Sequence, residues 1–200
     1  MLTPVQDRPA SFDQPADERD LVERARVDEE AFAELYRRYL DRIYTFAWRR
    51  TGSVEAAQDV CSATFEAAFR SLDTFRWGEG GFAPWLFKIA ANQTVGHHRR
   101  EARPRSERGQ RALARLHQPT TVDEHRVDDT ANDQLRAALD RLSPRYQRAI
   151  TLRHLADLDP TEAADAMGIS RPILAVVLSR AMKALRRELE RLTEQDGDQP

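Results

Sequence analysis

Cysteine is almost absent from this chain of 200 residues, in which Cys61 stands alone. A single thiol excludes an intramolecular disulfide framework and fits a reducing compartment. Long apolar runs are missing too, since none approaches the roughly 18 residues that a membrane-spanning helix needs. The N-terminus has no basic segment followed by an apolar one, as a secretory signal would have. We therefore expect a cytoplasmic protein with no membrane insertion.

Sequence signatures of enzymes are also missing. The chain contains no phosphate-binding GxxxxGK loop, no HExxH and no GxSxG. His97 and His98 are adjacent, so on a helix their side chains would point in different directions and chelate a metal poorly. We expect a protein that is not an enzyme and that carries neither a metal nor a cofactor.

The formal net charge of −2 conceals an uneven distribution. Residues 1–30 hold four arginines and nine acidic residues, a local charge of 4 − 9 = −5. Residues 97–115 hold seven arginines and two glutamates, a local charge of 7 − 2 = +5. A basic segment beside an acidic head predicts local contact with a polyanion and not a uniformly basic surface.

Apolar residues recur at spacings of three and four without strand-like alternation, which predicts an all-α fold. One such face runs from Phe32 to Ala47, Thr51-Gly52-Ser53 ends that helix, and further helices follow at about 54–72 and 82–100. We expect two small helical domains joined by a charged linker. Their predicted bounds are a disordered head at 1–16, a first domain at 17–100, the linker at 101–131, a second domain at 132–193 and a tail at 194–200.

The second domain contains the pattern of a helix-turn-helix. Ala164 allows two helices to approach, Gly168 takes the corner, and Ser170 can cap the next helix. Such a helix enters the major groove, where reading bases needs hydrogen-bonding side chains near its start. The residues at 173–177 are instead Ile-Leu-Ala-Val-Val. The alternative interpretation of this pattern is a plain helical hairpin.

A second constellation lies between residues 74 and 100. Phe75, Trp77 and Trp85 accompany cationic and amide side chains in and after a glycine-rich loop. Aromatic rings can stack on unpaired bases while cations hold the phosphate backbone. Lys88, Asn92 and Arg99 would share one helical face. The alternative is that the aromatic residues are only core and the arginines only solvated.

In order and spacing, these features resemble an extracytoplasmic-function (ECF) sigma factor over residues 17–192. The matching segments are DEEAFAELYRRYLDRIYTFA, FAPWLFKIAANQTVGHHRR and LRAALDRLSPRYQRAITLRHL, followed by the helix-turn-helix. The resemblance implies binding to core RNA polymerase, melting of the −10 promoter element by the first domain, and reading of the −35 element by the second. It also implies an anti-sigma factor as a partner.

Site residues follow from the resemblance by position. The −10 contacts it implies are Asp73, Thr74, Arg76, Trp77, Trp85, Lys88, Asn92, His97, Arg99 and Arg100. The −35 contacts are Ser170, Arg171, Ile173, Leu174, Ala175, Val177, Arg180 and Lys183. The polymerase contacts, on the helix that holds 57–69, are Asp59, Ser62, Ala63 and Glu66.

The chain departs from the family pattern most clearly at Ala175-Val176-Val177, where members usually place a Lys-Ser-Arg type of run. A lost base-contacting side chain can cost about 1–3 kcal/mol of discrimination. We therefore expect weak or altered −35 specificity. The rival hypotheses are a sigma-like regulator whose apolar recognition helix binds a protein, and a helical scaffold without a role on DNA.

Overall fold

The computed structural model describes residues 15–100 and 129–197, with side chains from 18 to 95 and from 132 to 195. All regular elements in these two ranges are helical, which confirms the predicted all-α class. Most of the predicted head, the linker and the end of the tail lie outside the described residues. The helices are α1 (Pro15–Arg24), α2 (Glu29–Thr51), α3 (Val54–Ser71), α4 (Ala83–Arg100), α5 (Asp129–Asp140), α6 (Pro144–Ile150), α7 (Pro160–Met167) and α8 (Arg171–Gly197).

The break between α2 and α3 has the chemistry that the sequence predicts. Gly52 ends α2 in the left-handed conformation at φ 70°, and its N–H donates to the Trp48 carbonyl. The Ser53 hydroxyl then accepts from the Ala56 N–H at 3.3 Å and caps α3. These two residues reverse the chain, so α2 and α3 pack side by side.

Helices α1–α4 form an N-terminal module around an aromatic core. Phe46 and Phe87 meet edge to face at 5.6 Å, which joins α2 to α4. Tyr36 and Phe65 join α2 to α3 at 4.6 Å. Phe69, which the periodicity places on the inner side of α3, is half exposed and contacts Phe32 at the rim.

Helices α5–α8 form a C-terminal module that contains the helix-turn-helix. Asp159 and Glu162 make a reciprocal capping box at the start of α7, and Gly168 takes the corner before α8 at φ 65°. Ala164 is buried at this crossing, as the close approach of the helices requires. The predicted helix after Pro144 differs in its last turn, because Thr151–Leu155 widens into a π-helical turn. That turn is closed by the Ala156 N–H donating to the Thr151 carbonyl at 2.9 Å.

The two modules lie against each other and share one hydrophobic core. Phe87, Ala90 and Ala91 of α4 belong to the same buried cluster as Leu152 and Leu158 of the C-terminal module. The sequence predicted two domains and a linker, but no pattern in it predicted that the domains would be in contact. The contact places α7 beside the loop that precedes α4.

Tyr36 offers a test of this core. Its hydroxyl is buried and has no hydrogen-bond partner, and burial raises the pKa of Tyr36 to about 12. An unpaired buried hydroxyl costs about 1–3 kcal/mol, so Tyr36→Phe is expected to raise the free energy of unfolding by about 1 kcal/mol in urea titrations. Tyr39→Phe is the matched control and should destabilise, because the Tyr39 hydroxyl donates to Glu18. Equal effects of the two substitutions would contradict this account.

Candidate nucleic-acid interface

An aromatic cluster organises the loop between α3 and α4. The Phe75 ring is buried and lies 5.8 Å from the Trp77 ring and 5.2 Å from the Trp85 ring. Phe82 is also buried and lies 5.3 Å from Trp85. The two buried phenylalanines therefore pack against the inner sides of the two tryptophans, and each tryptophan is half buried.

Arginines fix the backbone of this loop. Arg26 of the α1–α2 connection donates to the carbonyl oxygens of Asp73 and Phe75, each at 3.1 Å. The Arg76 guanidinium donates to the Asp73 carbonyl at 3.0 Å. The Arg19 guanidinium lies 5.9 Å from the centre of the Trp77 ring, within the range of a cation–π contact. The side chains of Asp73, Thr74 and Arg76 all remain exposed to solvent.

The face of α4 that follows the loop matches the predicted polar stripe as far as it is described. Lys88 and Asn92 are exposed, one turn apart, while Ala90 and Ala91 beneath them are buried. His97, Arg99 and Arg100 continue the α4 backbone, but their side chains lie outside the described residues. The loop and this face together form a surface with half-buried indoles at one end and the exposed side chains of Lys88 and Asn92 along it.

The recognition helix presents only part of the predicted apolar strip. Ile173, Ala175 and Val176 are exposed, whereas Leu174 and Val177 are 1% and 5% exposed and face the core. A helix has 3.6 residues per turn, so consecutive apolar residues cannot all lie on its outer face. The predicted contacts that remain on the surface are Ser170, Arg171, Ile173, Ala175, Arg180 and Lys183.

The exposed part of the strip borders a groove that the sequence did not predict. Ile173 and Val176 line it together with Tyr146 of α6, and Arg145 and Arg180 flank it. Its volume is about 380 Å³. Tyr146 and Arg145 carry no sequence signal for this role, because they lie in a helix predicted only from its proline and its apolar spacing.

Comparison with protein families matches both modules. Residues 35–104 match Sigma-70 region 2, and residues 132–185 match Sigma-70, region 4. The chain is 34% identical to the ECF RNA polymerase sigma factor BldN of Streptomyces coelicolor over 184 residues, 91% of this chain and 69% of that protein. This chain belongs to the ECF sigma factors. It is therefore a regulatory transcription initiation factor that acts with core RNA polymerase on promoter DNA, as the sequence resemblance implied.

Other relatives agree with this assignment. The RNA polymerase sigma factor YlaC of Bacillus subtilis is 26% identical over 84% of this chain and 96% of its own length. The fold is that of the solved sigma factor RpoE from Bartonella quintana, which was crystallised with the anti-sigma factor NepR. That match has 21% identity and a TM-score of 0.50, and it covers 80% of this chain and 96% of the other.

The predicted polymerase contacts of this sigma factor are distributed unevenly on α3. Glu66 is exposed and pairs with Arg70, and Asp59 and Ala63 are half buried. Ser62 faces inward, where its hydroxyl donates to the Gln58 carbonyl at 2.9 Å. The α3 surface open to a partner in this arrangement therefore does not include Ser62.

The inner side of α3 carries a buried thiol, that of Cys61. Cys61 is 1% exposed, and burial raises the pKa of its thiol to about 12, with a smaller contribution from the Asp41 carboxylate. A thiol in this environment stays protonated and is unreactive.

Two kinds of feature are absent from the described residues. Among the side chains at 18–95 and 132–195, no three histidine, cysteine, aspartate or glutamate residues gather as metal ligands would. No helix in the described ranges is both long enough and apolar enough to cross a membrane.

Proposed function

We propose that the surface formed by the Phe75–Trp85 aromatic cluster and the outer face of α4 engages the melted −10 strand. The observation that supports it is the placement of two half-buried indoles directly before an exposed lysine and asparagine. Stacking of a base on an aromatic ring contributes about 1–3 kcal/mol and tolerates sequence variation. Lys88 would neutralise a phosphate, and Asn92 would hydrogen-bond the strand beside it.

The proposal extends to region 4 in a restricted form. Arg171, Arg180 and Lys183 are exposed on α8 and can contact phosphates, which position a protein without specifying sequence. The outward side chains between them, Ile173 and Val176, offer only apolar contact, which suits thymine methyl groups. Promoter selection by this chain would then depend mainly on the −10 element. On this proposal it acts in the cytoplasm, where polymerase and promoters are, and has no catalytic activity of its own.

The groove beside α8 favours a protein partner as well. Ile173 and Val176 are 48% and 52% exposed, and both line the same groove with Tyr146, so they form a continuous apolar surface and not isolated exposed residues. Because Arg145 and Arg180 flank them, an amphipathic segment with acidic residues would match both the apolar floor and the charged rim. By its family, this chain is proposed to bind an anti-sigma factor, and the groove is a place where such a segment could lie.

Run-off transcription tests the initiation function. The purified chain, added to core polymerase and a library of promoter fragments, is expected to give discrete transcripts, and pull-down with core polymerase should precede them. Failure of the chain to bind core polymerase would contradict the initiation function. Transcripts that appear equally without the added chain would contradict it too, and either result would favour the hypothesis of a helical scaffold without a role on DNA.

Lys88→Ala tests the proposed −10 surface. The substitution is expected to weaken binding to forked −10 DNA and to reduce the slope of log K against log salt by about one, since one phosphate contact is lost. Fluorescence anisotropy across a salt series measures both. Lys183→Ala is the matched control, because it removes an exposed lysine of α8 and should leave fork binding unchanged. An equal loss with both variants would indicate nonspecific electrostatics.

A further inference from the structure

Arg26, in the connection between α1 and α2, binds the loop that carries the aromatic cluster. One of its guanidinium nitrogens donates to the Asp73 carbonyl and another to the Phe75 carbonyl, each at 3.1 Å. The Arg26 side chain is only 20% exposed, and its Nε lies 2.8 Å from the Glu23 carboxylate. A planar guanidinium can hold two acceptors at once in a fixed geometry. Arg26 therefore fixes the backbone where the loop begins.

The backbone changes direction at these two carbonyls. Leu72–Thr74 continues α3 as a short 3₁₀ turn, which the Phe75 N–H closes by donating to the Leu72 carbonyl at 3.0 Å. Phe75 itself is extended, at φ −61° and ψ 135°. Carbonyl groups at such a helix end have no partner within the helix and take side-chain donors or water. The hydrogen bonds from Arg26 therefore favour one exit direction for the chain that leads to Trp77.

Arg76 donates to the same two carbonyls as Arg26. Its Nη1 lies 3.0 Å from the Asp73 oxygen and 3.0 Å from the Phe75 oxygen. A carbonyl oxygen has two lone pairs, so it can accept from both arginines together. The two arginines differ in access, because Arg76 is exposed and Arg26 is largely covered. Arg76, a predicted −10 contact, can therefore turn to a phosphate while Arg26 keeps the loop in place.

Helix α1 ties Arg26 to the core and contacts the loop at two further points. Three residues of α1 are buried in the hydrophobic core that contains Phe75, namely Leu21, Val22 and Ala25. The Arg19 guanidinium lies 5.9 Å from the centre of the Trp77 ring. The Glu18 carboxylate approaches the far end of the loop, since a Cβ at Gly81 would lie 3.3 Å from it. Together with Arg26, this helix contacts the start of the loop, its indole and its end.

We propose that Arg26 is a positioning residue for base capture in the −10 element, and that α1 is the support through which it acts. Arg26 holds the loop in the conformation that receives an unpaired base and does not itself contact DNA. Apparent affinity scales with the fraction of molecules whose loop is competent to bind, so holding the loop ready strengthens capture. The inference rests on the proposed −10 surface and adds a residue outside positions 35–104, the range that matches Sigma-70 region 2.

Arg26→Ala is expected to affect recognition of a base and not of the DNA backbone. Forks in which each unpaired −10 base is replaced in turn by an abasic site measure the contribution of that base. The unsubstituted chain should bind the intact fork at least about fivefold more tightly than one of the abasic forks, the lower end for stacking on an aromatic ring. Arg26→Ala should lose most of this ratio. The slope of log K against log salt should stay the same, because no phosphate contact is removed.

Arg76→Ala is expected to give the reverse result. Removing this exposed cation should lower the salt slope by about one and leave the ratio between intact and abasic forks near that of the unsubstituted chain. Arg26→Lys should keep part of the ratio, since an ammonium can hydrogen-bond a carbonyl but lacks the planar fork that reaches two. Arg24→Ala is the matched control, because Arg24 pairs with Asp20 on the exposed surface of α1 and should change neither quantity.

Hydrogen exchange of the free full-length chain, followed by mass spectrometry, tests the loop without DNA. Amides at 73–81 should exchange at least about tenfold faster in Arg26→Ala than in the unsubstituted chain, and at an unchanged rate in Arg24→Ala. Loss of folding would speed exchange throughout the chain and not in the loop alone, and circular dichroism records the helix content of each variant. If Arg26→Ala does not fold, Arg26→Lys allows the same comparison with a smaller expected change.

Three results would overturn the role of Arg26. They are an unchanged ratio between intact and abasic forks in folded Arg26→Ala, unchanged exchange at 73–81, and a salt slope reduced as in Arg76→Ala, which would make Arg26 a direct phosphate contact. The proposed −10 surface fails separately. It fails if the unsubstituted chain binds intact and abasic forks equally although exchange shows that Arg26 holds the loop.

Discussion

Replacing Phe82 by alanine is expected to lower the free energy of unfolding by about 3–5 kcal/mol, the range for deleting a fully buried phenylalanine. Phe82 is 1% exposed, and its ring lies 5.5 Å from both Tyr39 and Phe75 and 5.3 Å from Trp85. The substitution leaves a cavity where α2, α4 and the loop meet. Urea unfolding of the full chain measures the loss as a lower midpoint at an unchanged slope.

Phe69→Ala is the control for this prediction. Phe69 is 50% exposed, and its ring contacts that of the rim residue Phe32 at 4.9 Å. We expect a loss of about 1 kcal/mol or less, because most of that ring already lies in water. Comparable losses for the two phenylalanines would mean that the aromatic cluster is not the core of the N-terminal module.

Phe82→Ala is also expected to weaken DNA binding at temperatures at which the variant is still folded. The rings of Phe82 and Phe75 both contact Trp85, so without Phe82 the indole loses its fixed position in the first turn of α4. Fork DNA binding by Phe82→Ala should therefore weaken even at temperatures where circular dichroism shows a folded chain, whereas Phe69→Ala should bind as the unsubstituted chain does.

Local chemistry explains why much of this fold is predictable from sequence. Gly52, Ser53, Pro144 and Gly168 act within one turn of their own positions, and the helices begin and end where these residues indicate. The apolar spacing likewise predicts which face of α2 points inward, and the structure buries that face. The helix-turn-helix follows from the same short-range signals.

Features that depend on distant parts of the chain were not predictable. Arg50 and Asp140 lie 90 positions apart, and neither has a local signal that marks it as buried or paired. Ser62 and Val177 were predicted as contact residues by position in the family pattern, but each faces inward because of which neighbouring helix packs on it. Spacing shows that a helix has an inner face and leaves open which residues of a uniformly apolar run occupy it.

Because only Ile173, Ala175 and Val176 of the apolar run in the recognition helix face outward, we expect promoter selection to depend little on the −35 element. Single base-pair changes across the −35 element should alter the affinity of the holoenzyme by less than about 1 kcal/mol each, against 1–3 kcal/mol for a position read by a bidentate side chain. Changes in the −10 element should have the larger effects. Competition binding with a complete set of single substitutions measures both elements in one experiment.

Ala175→Lys is expected to give the chain a −35 sequence preference that it otherwise lacks. Ala175 is exposed near the start of α8, so a lysine there can reach a base edge without disturbing the core, whereas a charge at the buried Val177 would disrupt it. The variant should acquire discrimination of at least about fivefold at one or two −35 positions, since one added base contact is worth about 1–3 kcal/mol. Thr193→Lys adds the same charge to the same helix about 27 Å further along and should raise affinity, if at all, without sequence preference. Strong −35 discrimination by the unsubstituted chain would show that Ile173 and Val176 read the promoter through methyl contacts alone, and the −10 element would then lose its leading part in promoter selection.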